Sequence, residues 1–322
     1  MKLNLKIYRG YANNENIVVT GHVFKKNTPD KYGLNKSKFK HAWSVIRMFS
    51  IKTIRNADVE LNFAGKNYRT RTLDDGYFQF TIPYSQELES GWHQVSVSVN
   101  REEKVKVKEG EFIKPHPGEY GIISDIDDTF LISHSGNIFR KLYFLLTKNI
   151  DKRKVFDEVV SHYRLLDRAG RRDLEKSNAF YYVSSSEWNL YNFIENFMKL
   201  HELPKGVLKL KAIKTGVFDF LTAGRGNHNH KFFKIKHIME FHPELKFILL
   251  GDDTQQDPHI YEQICKIFSE NTLAVYIRQT RHRPDRRTVI LMENMASMGV
   301  STCYFRKSGE AIAHSKSIGI IN

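Results

Sequence analysis

Gly121 to Leu131 reads GIISDIDDTFL, an apolar run that ends in Asp125, Asp127 and Asp128, with Thr129 just beyond. Three carboxylates within four positions repel one another unless a cation or a shared proton offsets them, so these residues point most directly to chemistry. Asp125 and Asp127 are two apart and lie on the same side of an extended chain. One can attack phosphorus to give an aspartyl-phosphate while the other protonates the leaving oxygen. Three other places offer matching groups: Ser184 ends FYYVSS, Asp252 and Asp253 end KFILLGDD, and Lys231 opens KFFKIKHIMEF after the loop TAGRGNHNH. Asp252 suits Mg²⁺, an oxygen-seeking ion that balances carboxylate repulsion and phosphate charge. Ser184 and Lys231 suit phosphoryl oxygens, the lysine offsetting the charge that builds as phosphorus becomes five-coordinate. Singly, each group has an ordinary structural use: a turn or cap for the aspartates, a capping box for Ser184 to Glu187, a solvated surface for the lysine. Together, in this order and each at the end of an element, they select phosphoryl transfer.

The elements that must hold these groups are legible from the hydrophobic rhythm. From Gly121 onward, near-continuous apolar runs (GIISDID, FYYVSS, KLKAI, KFILLGDD, AVYIRQT) alternate with helical patterns such as WNLYNFIENFMKL and KFFKIKHIMEF. That alternation predicts a parallel sheet covered by helices on both faces, with a ligand crevice beyond the carboxyl ends of its strands. From Ile17 to about Val107 the pattern is different: IVVTGHVF, VELNFAG, YRTRTL, YFQFTIP and HQVSVSV alternate apolar and polar residues. This predicts a small antiparallel sandwich, in which Asp74-Asp75-Gly76-Tyr77 turns a hairpin between two half-buried strands. FIKPHPGEY (Phe112 to Tyr120), with two of the chain's eight prolines, reads as the linker, giving domains 1–115 and 116–322.

Two basic stretches stand out. LNKSKFKHAWSVIRMFSIKTIRN carries six Lys/Arg and no acid around Trp43, Val45, Ile46, Met48 and Phe49. It reads as a helix packed on the sandwich or as an amphipathic membrane contact. Ser133 to Asp173 places Phe139, Leu142, Tyr143, Leu145 and Leu146 at helical spacing, either as core or as a face for acyl chains.

Bulk properties agree with a folded protein that meets anions. The 322 residues are 41% hydrophobic and 12% aromatic, enough for well-filled cores, and the net charge of +14 suits phosphates, nucleic acid or anionic lipid headgroups as well as solubility alone. Cys265 and Cys303 are the only cysteines, which excludes a disulfide framework and a cysteine metal site and fits a reducing, cytoplasmic setting. The opening MKLNLKIYRGYANNEN is too polar for a secretory signal, and no run approaches the roughly 18 apolar residues that span a bilayer, so any membrane contact is expected to be peripheral.

The order Asp125-Ile126-Asp127-Asp128-Thr129, Ser184, Lys231 and Gly251 to Asp257 resembles the four motifs of the haloacid dehalogenase superfamily of aspartate-nucleophile phosphotransferases. YYVSSSEWNLY, LPKGVLKLK, HKFFKIKHIMEFHPELKFILLGDDTQQDPHIY and VYIRQT further resemble the catalytic domain of the fungal actin-patch phosphatidate phosphatases, with lipins as distant relatives; the likeness covers roughly Gly121 to Asn322. It implies an α/β fold: an N-terminal antiparallel β-sandwich followed by a haloacid dehalogenase-like, Rossmann-type parallel sheet flanked by helices, with a small helical cap insertion between the first two motifs. It implies Asp125 as nucleophile and Asp127 as general acid/base. Thr129, Ser184 and Lys231 would bind phosphate, Asp125, Asp127 and Asp252 would hold Mg²⁺, and Asp253 and Asp257 would support them. Ser186-Glu187-Trp188 departs from the Ser-Pro-Trp common in that family, which bears on a helix start and not on the reaction. The implied substrate is phosphatidate in a membrane surface, giving diacylglycerol and phosphate, with no specific nucleic-acid partner. A soluble phosphomonoesterase acting on nucleotides, polynucleotide ends or sugar phosphates, and a non-catalytic module for acidic lipids, are the readings that compete with it.

Overall fold

A computed structural model describes residues 3–25, 51–101, 104–118, 120–126, 150–170, 177–211, 229–254 and 256–322. The described residues form two compact units. The first takes those of Met1–Pro115, Ser186–Phe197 and Leu210–Gly226, and the second those of His116–Ser185, Met198–Lys209 and Asn227–Asn322.

In the first unit, β1 (Asn4–Ala12), β2 (Asn16–Phe24), β3 (Asp58–Phe63), β4 (Lys66–Arg71), β5 (Tyr77–Pro83), β6 (Gly91–Arg101) and β7 (Lys104–Lys114) form one hydrogen-bonded sheet in the order β4-β3-β6-β7-β1-β2-β5. Alternation aims the inward set. Phe78, Phe80 and Ile82 on β5, Val59 and Leu61 on β3, and Val95, Val97 and Val99 on β6 meet Leu5, Val19 and Phe112 in a common core. Two expectations need correcting. The sheet is not wholly antiparallel, because β1 runs parallel to β7 with Gly10 level with Phe112. The Asp74 to Tyr77 turn forms, with Gly76 at φ +77° and the Asp75 carboxylate accepting from the Tyr77 amide at 2.9 Å, but it closes no hairpin. Its flanking strands stand at opposite ends of the strand order, β4 paired with β3 and β5 with β2. Turn chemistry reverses the chain, and burial of the apolar faces then chooses the partners.

Apart from the last two residues of β9 and of β10, which fall in the first unit, the second unit holds β8 (Tyr120–Asp125), β9 (Ala179–Glu187), β10 (Gly206–Lys211), β11 (Lys246–Asp252), β12 (Thr272–Arg278) and β13 (Ser301–Phe305), a sheet in the order β10-β9-β8-β11-β12-β13. The pairs β9–β8, β8–β11, β11–β12 and β12–β13 are all parallel. Ile122, Ile123, Phe180, Tyr181, Ile248, Leu249, Val275 and Tyr276 are fully buried, as strands covered on both faces require. The described helices are α1 (Ile150–Asp167), α2 (Tyr191–Leu200, after a short 3₁₀ turn at Trp188–Leu190), α3 (Asn229–Phe241), α4 (Asp257–Phe268), α5 (Arg286–Ser297) and α6 (Ser308–Ser317). β8 comes first along the chain in this sheet and stands inside it. The next two strands lie to one side and the last three to the other, so the order reverses between β8 and β11. In an open parallel sheet, that switch point is where a crevice opens beyond the strand ends.

Candidate active site

β8 and β11 each end in a buried carboxylate at this switch point. Asp125 closes β8 and Asp252 closes β11, both fully buried. Leu250 is level with Ser124, so the two strand ends lie side by side. The chain then turns into α4, whose first residue, Asp257, is also fully buried. The glycine before Asp252 makes this possible. A Cβ on Gly251 would lie 2.6 Å from Asp257 Oδ2, 2.9 Å from its Cβ and 3.0 Å from the Tyr261 ring, so only a residue without a side chain lets α4 begin over the end of β11. The amide of Asp252 meets Asp257 Oδ2 at 3.5 Å.

Lys231, in the first turn of α3 and 5% exposed, brings a cation to these acids. Its Nζ lies 2.9 Å from Asp125 Oδ1 and donates to Asp257 Oδ1. Burial lowers the pKa of this lysine, but Asp125 and then Asp257 outweigh it and hold the pKa above the ordinary lysine value. Burial in turn pushes the Asp257 carboxyl up, with Asp125 adding to the effect and Lys231 opposing it. Asp125, Asp252 and Asp257 each offer one oxygen, all within 4.8 Å of one another. Three formal negative charges less the one positive charge of Lys231 leave two, in a buried site where unbalanced charge is costly. An all-oxygen donor set with residual negative charge fits a hard divalent cation, and Asp125, Asp252 and Asp257 are the described residues that could hold one.

The neighbours fix these groups. Asp252 Oδ1 accepts from the Thr254 amide at 2.6 Å and its hydroxyl at 2.5 Å. Asp253 faces a different set: Oδ1 accepts from the amide (2.9 Å) and hydroxyl (2.5 Å) of Thr280, and Oδ2 accepts from the Tyr304 hydroxyl at 2.6 Å. Both of its oxygens thus brace the strand ends of β12 and β13, and it supplies no member of the three-carboxylate cluster. Buried behind Asp125, the Tyr163 hydroxyl and Ser124 Oγ are 2.6 Å apart, and Ser124 donates to the Asp125 carbonyl at 2.8 Å. Ser184 is 1% exposed and sits on β9 one residue past Val183, which is level with Asp125. One turn beyond Lys231, Lys234 donates to the Ser184 carbonyl at 3.2 Å and to the Lys209 carbonyl at 3.3 Å, tying the ends of β9 and β10 to α3.

Asp125, Lys231, Asp252 and Asp257 therefore converge, Ser184 stands on the adjoining strand, and Asp253 acts as a brace. Asp127, Asp128 and Thr129 lie outside the described residues, as do most of the loop TAGRGNHNH, the stripe from Phe139 to Leu146 and the basic stretch before Ile51. Sequence reasoning missed Thr280, Tyr304 and Lys234. Thr280 was within reach, since it ends the apolar run AVYIRQT just as Asp252 ends its own, whereas β13 is too polar to read as a buried strand.

Comparison with known proteins decides the family. Residues 120–279 match the family described as "Phosphatidate phosphatase APP1, catalytic domain". That segment belongs to the APP1 catalytic-domain family. The chain is also 25% identical over 248 residues to the phosphatidate phosphatase APP1 of Saccharomyces cerevisiae; the match covers 72% of this chain and spans 40% of the length of the yeast protein. Among solved structures, a carbohydrate acetylesterase from Xanthomonas citri aligns over 96% of this chain and 72% of its own at 9% identity and a TM-score of 0.34. A β-glucuronidase from Parabacteroides merdae aligns over 93% and 39% at 9% identity and a TM-score of 0.30. Scores this low carry no guidance on fold or function. Among the described residues, no helix is long and apolar enough to cross a membrane.

Proposed function

We propose that the protein is a Mg²⁺-dependent phosphatidate phosphatase that works through an aspartyl-phosphate. The observation that carries this reading is the meeting of Asp125, Asp252, Asp257 and Lys231 at the switch point of a parallel sheet, inside the segment matched to the APP1 catalytic domain. In this reading the second unit has the haloacid dehalogenase-like, Rossmann-type arrangement, supported by a strand order that counts 3-2-1-4-5-6 from β8. Residues 116–322 form the phosphatase domain and 1–115 an N-terminal domain, in a cytoplasmic protein that meets membranes peripherally.

An oxygen of Asp125 attacks the phosphorus of phosphatidate, forming an acyl-phosphate as the P–O bond to diacylglycerol breaks. Asp127 delivers the proton that the departing alkoxide oxygen needs. Water then attacks the same phosphorus, Asp127 takes its proton, and phosphate leaves as the Asp125 carboxylate is restored. Lys231, charged because Asp125 and Asp257 face it, offsets the charge that gathers on the phosphoryl oxygens, while Ser184 and Thr129 orient them. Mg²⁺, held by Asp125, Asp127 and Asp252 with Asp257 in reach, would supply Lewis-acid polarisation of the phosphoryl group.

The test is phosphate release across phosphatidate vesicles, sugar phosphates and nucleotides, with Mg²⁺ and with EDTA. Release from phosphatidate that stops on chelation is expected. Release from the soluble esters alone would replace the substrate, and release that survives exhaustive chelation would remove the metal from the account.

A further inference from the structure

The residues that follow Ser184 belong to the first unit, although they sit in the middle of the segment that carries the site. Ser186–Phe197 clusters with Met1–Pro115, while β9 up to Ser185 clusters with the second unit. The attachment is dense and chemically mixed. Trp188, 7% exposed, stacks on Tyr8 of β1 with centroids 4.0 Å apart and planes 20° apart, and Tyr191 packs on both rings at 4.5 Å and 5.7 Å. The Tyr8 hydroxyl is fixed from behind by His22 Nδ1 at 2.9 Å. The Tyr191 hydroxyl accepts from the Arg9 amide at 3.1 Å. The Arg9 guanidinium is shared between Glu195 at 3.1 Å and Glu111 of β7 at 2.9 Å, and Lys6 lies 3.6 Å from Glu195 and 4.9 Å over the Tyr191 ring.

Surface decoration does not look like this. Stacked aromatics attract one another beyond the effect of their buried area, and charged groups bonded on several sides hold one geometry. Three residues separate Ser184 from Trp188, a distance no flexible linker can hide, so whatever fixes Trp188 limits where Ser184 can stand.

We infer that the N-terminal sheet is a positioning element of the phosphate site: Tyr8, Arg9 and Lys6 clamp Trp188, Tyr191 and Glu195, and through them fix the end of β9 that presents Ser184. The inference rests on the reading of Ser184 as a phosphate-binding residue for its kinetic consequence, but its structural consequence is independent of any substrate.

The experiment uses the full chain and the variants Tyr8→Ala, Glu195→Lys and Lys6→Glu/Glu195→Lys. Amide hydrogen exchange is read at Val183–Ser186 and, as an internal control, at Phe247–Leu250. Tyr8→Ala is expected to speed exchange at Val183–Ser186 by about tenfold, the loss of roughly one aromatic stack, with the control segment unchanged. Glu195→Lys sets like charges against Lys6 and Arg9 and should do the same, and the double reversal should restore protection in part. With p-nitrophenyl phosphate and Mg²⁺, the same variants should raise KM several-fold while kcat changes little. Faster exchange confined to residues 3–25, or loss of protection in both segments alike, would overturn the clamp. If the wild type releases no phosphate from any ester yet the exchange pattern appears, the proposed activity fails and the clamp stands.

Discussion

His22 shows how one buried residue can set the pH response of the first unit. It is fully buried, bonded through Nδ1 to Tyr8, and has no partner for Nε2 among the described residues. Burial lowers its pKa from 6.5 to about 3. Above pH 6.5 neither folded nor unfolded chain holds the proton, and the contribution to stability is whole. As pH falls from 6.5 toward about 3, the unfolded chain takes up a proton that the folded chain refuses, and stability declines by as much as about 1.4 kcal/mol per pH unit. His162 in the second unit, lowered to about 4 by burial and by His314, works in the same direction. Thermal melts from pH 7.5 to 4.5 should therefore show falling Tm, and His22→Gln should flatten the slope without abolishing it. A variant whose slope equals that of the wild type would contradict the buried, neutral histidine. At the site itself, Asp125 and Asp252 could be read from strand ends and motif spacing. The brace on Asp253 could not, because Tyr304 lies 51 residues further on and nothing local in STCYF announces it.

Among the elements, the junction of β11 and α4 carries the tightest constraint. Gly251 exists to let Asp257 lie over the strand end, and Tyr261, one turn further on, donates to the Leu250 carbonyl at 2.8 Å and locks the helix there. Gly251→Ala is expected to destabilise the second unit by about 1–3 kcal/mol through overpacking. It should also weaken stabilisation by Mg²⁺, because Asp257 must withdraw. A urea titration with and without Mg²⁺ reads both effects; an unchanged midpoint would mean that α4 shifts at no cost. Period-two alternation made β3, β5 and β6 legible, and near-continuous apolar runs did the same for β8, β9, β11 and β12. Pairing was harder to read. The turn at Asp74 to Tyr77 resembles a hairpin turn in every local respect, and only the competition among buried faces sends β4 and β5 to opposite ends of the sheet.

For the whole molecule, the +14 charge is the property most open to test. If phosphatidate in a membrane is the substrate, binding to anionic vesicles should weaken steeply between about 0.1 M and 1 M salt, as the Debye length falls from about 10 Å to 3 Å. Co-sedimentation that is unaffected by salt would show that charge does not bring the protein to the lipid. Membership of Ser186–Phe197 in the first unit was invisible in the sequence, since Tyr8 and Trp188 are 180 residues apart and each reads locally as ordinary core. The central claim is that Asp125 receives the phosphoryl group, and its most direct test is phosphate release from phosphatidate by Asp125→Asn beside the wild type, both with Mg²⁺ and both shown by thermal melt to be folded. Release from the wild type and none above background from Asp125→Asn is the expected result. Comparable release from the two would contradict it.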